Sequence, residues 1–595
     1  MNERSVRIGN FSGYLGDRFT AVDEVLAGDP VDVLMGDYLA EVTLAALAAD
    51  RRGYVAYFRK QLRPHLATLA ERGIKVVTNA GGFDPAGLAA ALRADLAEAG
   101  VSLTVAHVEG DAVLDRLPEF HRDGYALENL DSGAPLKDWG FEPIAANAYL
   151  GGFGIAEALR AGADIVVTGR VTDASLTAGP AAWWHGWTPD DHGPLAGAIT
   201  AGHIIECGAH ATGGNFSGFR TVPGMDRCGF PIAEVAADGS SVITKHARDG
   251  GTVTVDTVTA QLVYEIQGPR YLNPDATVHL DTVRLSRVGP DRVAIGPVVG
   301  SPPPPTHKVA VFAQLGWQIS TMLFCTSPDV EEKVALLRRQ LRLQLDGHVD
   351  QLDVTPLGTA AEDPRSQWEA TVPIRVMATA SAAEALAAFP AAVGSLYLQG
   401  YPGFHHDGGA QPVRAPWPRI GYWPALLPVE HVPHTAVLAD GRRIEAPLSR
   451  TFASPEQLAQ GRSPEPPPVR GDGEPGRPGR RGRRGRRGRR GRRGRLGTVA
   501  HARAGDKGGN SNVGVWVPDP AHWDWLCSTL STENLRALLP EAEDCDIVRH
   551  EFPHLRAVHV VLRGLLGTGG SSNLRVDQIG KSVGEYLRAK HVMLP

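Results

Sequence analysis

"IKVVTNAGGFDPAGLAAALRADLAEAG", residues 74–100, reads as one strand–turn–helix unit. A β-branched run passes through Asn79, Gly81 and Gly82 into an Ala/Leu-rich stretch, with Asp84 placed as N-cap and Pro85 at the first helical position. The pattern recurs on both sides. "SVRIG" (5–9) leads through "NFSGYLGDR" (10–18) into "FTAVDEVLAG" (19–28), and "VDVLMGD" (31–37) leads into "YLAEVTLAALAADRR" (38–52). "SLTVAHVEGD" (102–111) supplies a fourth strand and "ADIVVTGRVTDASL" (163–176) a fifth. Strands alternating with helices predict an α/β fold with a doubly wound, mostly parallel sheet over residues 1–235.

The texture then changes. "GTVTVDTVTAQLVYEI" (251–266), "ATVHLDTVRLSRV" (276–288) and "DRVAIGPVV" (291–299) read as successive strands. "KVAVFAQLGWQISTMLFC" (308–325) is a further strand, followed by the helical "PDVEEKVALLRRQLRLQL" (328–345). Strands grouped before helices predict an α+β region over 236–452. The aromatic stretches 397–409 and 421–428 suit loop and interface packing, or the lining of an apolar channel. Residues 497–595 alternate strand, helix, strands and helix, as expected of a small ferredoxin-like α+β domain.

Between them, residues 453–496 are rich in Pro, Gly and Arg and are expected to be a disordered linker. Residues 470–495 hold thirteen arginines against Asp472 and Glu474, a local charge of +11; the whole chain is −6, so the remainder carries −17. Folded parts that acidic repel a phosphate backbone, and the arginine tract has no aromatic residue on which a base could stack. Nucleic acid is therefore not expected as a partner, and the tract reads as a spacer. The five cysteines (Cys207, Cys228, Cys325, Cys527, Cys545) are scattered without a CxxC pair, which points to a reducing compartment. With no long apolar run and no signal-like start, a cytoplasmic protein without a membrane span is expected.

In an open parallel sheet, ligands sit beyond the carboxyl ends of the strands. The polar residues of this chain collect there. Asn10, Ser12, Gly13, Asp17 and Arg18 follow the first strand, Asp37 and Glu41 the second, and Asn79, Gly81 and Gly82 the third. His107, Glu109 and Asp111 follow the fourth, and Arg170 and Asp173 the fifth. Arg170, closing an apolar strand, suits a carboxylate or phosphate held bidentately. Asp37, Asp173 and Glu206 are candidate acids and bases. The Gly13 and Gly81–Gly82 loops are expected to supply N–H donors, with Asn10, Ser12 and Asn79 beside them. Tight turns and N-caps would explain many of these residues equally well.

"GHIIECGAHATGGN" (202–215) places His203, Glu206, Cys207 and His210 on one helical face, a set that could hold zinc or simply carry Glu206 and Cys207 to the rim before the helix stops. Cys207 is a nucleophile only if its pKa is depressed. In "HARAGDKGGNSN" (501–512), Arg503, Asp506, Lys507, Asn510 and Asn512 suit anion binding, capping of a neighbour's site or a surface turn.

Together, "GNFSGYLGDR", "GDYLAEVT", "NAGGFDPAG", "ADIVVTGRVTDASL", "GHIIECGAHATGGNF", "LQGYPGF" and "ARAGDKGGNSNVGV" resemble the acyclic terpene utilisation (AtuA-like) family over residues 5–450 and 497–590. The resemblance implies a large AtuA-like domain joined to an AtuA-like ferredoxin-fold domain. It also implies a place in the breakdown of branched isoprenoid acids such as citronellate and geranate as CoA thioesters, alongside biotin carboxylases and acyl-CoA dehydrogenases. It assigns no catalytic residue. The family more often has Gln where His210 stands here, and the arginine repeat has no counterpart in it.

The expected function is that of a catabolic enzyme acting on acyl-CoA or branched carboxylic acid intermediates, by hydratase, lyase or thioesterase-like acid/base chemistry. No cofactor is required, coenzyme A entering as part of the substrate, and a divalent metal stays open. A homo-oligomer is expected. The alternative is a non-catalytic accessory or scaffold protein of an acyl-CoA carboxylase pathway, or nucleic-acid contact through the linker.

Overall fold

In the computed structural model, residues 4–406, 413–461 and 492–595 are described. The five expected strands are β1 (Val6–Ser12), β2 (Val33–Gly36), β3 (Lys75–Thr78), β4 (Val105–Glu109) and, after an intervening β5 (Pro143–Ala148), β6 (Ile165–Thr168). They run parallel in the order β1-β2-β3-β6-β4, so the chain lays β4 outside and returns to insert β6 beside β3. Alternate residues enter different cores. Val33, Met35, Val77 and Val166 pack on one side, and Leu34, Val76, Ile165 and Val167 on the other. Both faces are covered, which is why these strands read as continuous apolar runs. The helix Pro85–Ala99 starts where Asp84 accepts from Gly87 N–H at 2.7 Å.

The sheet extends to eleven strands by antiparallel additions. β7 (Pro231–Val235) and β8 (Ser241–Lys245) form a hairpin beside β1, followed by Arg292–Ile295 and Leu285–Gly289. Thr435–Val437 and Arg443–Glu445 extend the β4 edge. The division expected at 235/236 thus runs through one continuous sheet, because a hairpin needs only a short turn to prolong an edge.

One expected strand is a helix. Within 251–266, Val255–Leu262 is helical, opened by a reciprocal capping box between Thr254 and Thr257. Alternating Thr and Val imitate a strand, but Thr is also a helix N-cap, and packing decides between the two.

The 21-residue strand Thr306–Thr326 organises a second sheet. Its register shifts at Gly316 (φ +126°). The part before it pairs with β5 and Trp417–Pro428, and the part after it with Thr371–Ala380. The helices Val330–Leu345 and Ala388–Gln399 pack their own core on this end.

The C-terminal domain has an antiparallel sheet in the order His501–Lys507, Asn510–Trp516, Ala557–Arg563, Asp546–Phe552. One face closes its own core, whereas Trp516, Phe552, Leu555 and Ala557 continue the core of the large domain. Of the segment expected to be a linker, residues 462–491 lie outside the described residues. Its ends are ordered, contrary to expectation. Ser454 caps a short helix, Pro455–Leu458, and Arg493–Arg495 pairs with His591–Met593.

Candidate functional site

β2 and β3 end side by side, which brings Asp37 and Asn79 together: Asn79 Nδ2 donates to Asp37 Oδ1 at 2.6 Å and its Oδ1 accepts from Tyr38 N–H at 2.7 Å. β6 ends next to them. Arg170 is 2% exposed, donates to the carbonyl of Leu39 just beyond Asp37, and reaches Asp173 at 2.6 Å. Its own N–H is anchored by Asp111 at 2.8 Å, which also accepts from Asn147. The guanidinium lies 4.2 Å over the Tyr149 ring, and its Nε has no hydrogen-bond partner among the described residues. Burial, then the carboxylates of Asp173 and Glu206, pushes Asp37 well above the usual carboxylate range. Burial and Asp173 do the same to Glu206. Asp37, Asn79, Arg170 and Glu206, spread over the first 210 positions, therefore share one rim.

Asp37 and Glu206 sit behind the surface that a ligand would meet. In front of them opens a cavity of about 280 Å³. Its lining includes the charged Arg170, Asp173, Glu265, Arg270, Lys308 and Lys507, polar residues such as Asn273, Thr306 and His307, and the apolar Leu130, Leu272, Leu426 and Leu458. Leu130, Leu272 and Leu426 are 50%, 42% and 42% exposed, so an apolar rim faces solvent beside a charged floor.

Three elements outside the parallel sheet supply that floor. Lys308, from the long strand, reaches Glu41 at 3.2 Å, and Tyr149 donates to the same carboxylate at 2.6 Å. Burial raises the Glu41 pKa, but Lys308, Lys507 and Arg170 outweigh it and hold Glu41 well below its usual range. Lys507 stands at the tip of the C-terminal domain's first hairpin, where Gly508 (φ +62°) turns the chain so close to Tyr422 that a Cβ on Gly508 would lie 3.2 Å from its ring. Burial lowers the Lys507 pKa, yet Glu265 and Glu41 overcome it, so the ammonium stays charged. Glu265 has φ +52°, a left-handed conformation costly for a non-glycine residue. Its N–H donates to Asn512 at 2.9 Å and its carboxylate meets Lys581 at 3.0 Å. Burial, only partly opposed by Lys507, carries its pKa up to about 7.

Several expected site residues have other partners. The N–H groups of the glycine loops are already used: Gly13 donates to Asp17, Gly81 to the Thr168 carbonyl and Gly82 to the Asn79 carbonyl, at 3.0, 3.0 and 3.2 Å. They close turns rather than wait for an oxyanion. Asn10 Nδ2 holds the carbonyls of Glu206 and Ser12, and Ser12 donates to Tyr14. Arg18 pairs with Glu24, and Glu109 turns to His107 and Arg443 at the far edge. Asp506 is driven well above its usual range, first by burial and then by Glu265 and Glu41.

The face expected to hold His203, Glu206, Cys207 and His210 does not form. The helix ends at Ile205, and Gly208 turns at φ +57° because β1's loop abuts it; a Cβ on Gly13 would lie 2.5 Å from the Cys207 carbonyl carbon. His203 packs on Tyr271, while His210 accepts from Arg503 at 2.7 Å. Burial, with Glu206 and Glu265, pushes the Cys207 thiol well up, the opposite of nucleophile activation. Among the described residues no three His, Cys, Asp or Glu side chains gather to hold a metal ion.

Sequence reasoning missed Glu265, Lys308, Tyr149 and Tyr271. Lys308 left a trace, a lone cation in the apolar run "KVAVF". Glu265 lay hidden in a stretch that read as a strand.

The family model for acyclic terpene utilisation family protein AtuA matches residues 6–438, and that for the AtuA ferredoxin-like domain matches residues 494–593. No curated protein and no solved structure matches the chain.

Proposed function

The chain belongs to the AtuA family of acyclic terpene utilisation; from that premise and the cavity above, we propose that it is a catabolic enzyme for branched, isoprenoid-type carboxylic acids or their CoA thioesters. The observation that carries this reading is a cavity lined both by cations, Arg170, Lys308 and Lys507, which outnumber the carboxylates Asp173 and Glu265 beside them, and by leucines exposed at its mouth. A carboxylate or thioester oxygen suits the first, and a methyl-branched chain suits the second.

The chemistry is acid/base. Glu265 lines the cavity and ionises near neutrality, as a general base should. It takes a proton from the carbon next to the carbonyl, or from the water that adds or hydrolyses. Negative charge then develops on the substrate oxygen, where Arg170 and Lys507 stabilise it in a site whose charges are fixed in advance. Hydration, its lyase reversal and thioester hydrolysis all fit this scheme, with the Glu265 carboxyl returning its proton to the enolate carbon, the leaving hydroxide or the leaving thiolate respectively.

The test is to incubate the protein with a panel of saturated, unsaturated and carboxylated branched acyl-CoAs, following product mass and free thiol. Turnover that Glu265→Gln abolishes is expected. No turnover on any member, with binding of the acyl-CoAs intact, would replace the enzyme by an accessory protein of the same pathway.

A further inference from the structure

Glu265 has an unusual division of surroundings. The cations that face it, Lys507, Lys581 and Arg503, all come from the C-terminal domain. The carboxylates that face it from the large domain are Glu41, Asp173 and Glu206, with Asp506 the one anion from the C-terminal side. The neutral neighbours are His203, Cys207 and Tyr271. Its strained backbone is also held from across the interface, through the Asn512 side chain. The docking is close: a Cβ on Gly505 would meet Tyr264 at 2.6 Å, and the Lys581 ammonium lies 4.3 Å over that ring.

We infer that the ferredoxin-like domain is a working half of the site, its Lys581 and Asn512 acting as positioning residues that supply the counter-charge and the backbone anchor for Glu265. The large domain contributes carboxylates around Glu265, which favour its protonated form. The docked domain opposes them, with Lys581 at 3.0 Å and Lys507 at 4.0 Å. Lys581 is suited to the role because it does not line the cavity, so it acts on the base without touching substrate. Burial brings its own pKa down to about 8, leaving it charged at neutral pH.

The inference rests on Glu265 as the acid/base group, but its test needs no substrate. In the full chain with carboxyl-¹³C glutamate, the Glu265 resonance is identified by its loss in Glu265→Gln, and its titration is followed by NMR. A midpoint of about 7 is expected for the unaltered chain. Lys581→Met should raise it by roughly one unit or more, and Lys581→Arg should restore it. Docking is followed by the fluorescence of Trp516, whose indole N–H reaches Asp256 at 3.0 Å. An unchanged midpoint in docked Lys581→Met overturns the inference. Should that variant undock, Lys581→Gln takes its place, and undocking of both also overturns it, since Lys581 would then serve only packing. If the titration behaves as expected but Glu265→Gln leaves turnover intact, the proposed function fails and the tuning stands.

Discussion

The loops after β1 and β3 and those after β2 and β6 lie on one rim, yet they behave oppositely. The first pair is rich in glycine and turns its N–H groups inward, to Asp17, Thr168 and Asn79. The second pair carries Asp37, Arg170 and Asp173, whose side chains converge. Glycine in such a loop marks where backbones approach closely. The first pair builds the rim, and the second brings Arg170 and Asp173 to the cavity wall with Asp37 behind them.

The largest effect expected from breaking that contrast is at the charged floor. Glu265→Gln should lower kcat by roughly 10²–10⁴. Because a base works as its carboxylate, kcat/KM should climb as pH rises through about 7, the value to which burial lifts Glu265, and level off above it. In Glu265→Gln this rise should vanish, which a pH–rate profile would show.

Arg170→Ala comes next. The side chain is buried against Asp173 and the Leu39 carbonyl, so its loss should cost about 3–5 kcal/mol of stability as well as activity, measured by denaturant unfolding. A variant of native stability would move Arg170 from the framework to binding alone.

Gly81→Ala should then destabilise by about 1–3 kcal/mol, since its Cβ would run into the Thr168 carbonyl oxygen. KM should not change in the fraction that folds; a raised KM at full stability would restore the loop as an N–H donor. The smallest effect is expected for His210→Gln. The amide oxygen can still accept from Arg503, and stability should stay within about 0.5 kcal/mol.

The parallel core was legible because its strands are apolar on both faces and end in polar residues, a signal local to each strand. Arg170 stood out for the same reason. Glu265, Lys308 and Lys507 were less legible, because they come from just past a helix end, the long strand and the C-terminal domain and meet only in the tertiary fold. The reading of 255–262 failed where Thr254 could serve either a strand or a cap.

The central claim is that one cavity holds a branched carboxylate with its head on cations of both domains. A crystal structure of the full chain soaked with citronellate tests it most directly. The carboxylate should lie among Arg170, Lys308 and Lys507, with the chain along Leu130, Leu426 and Leu458. Citronellate bound elsewhere, or with its chain on the charged wall, would contradict it.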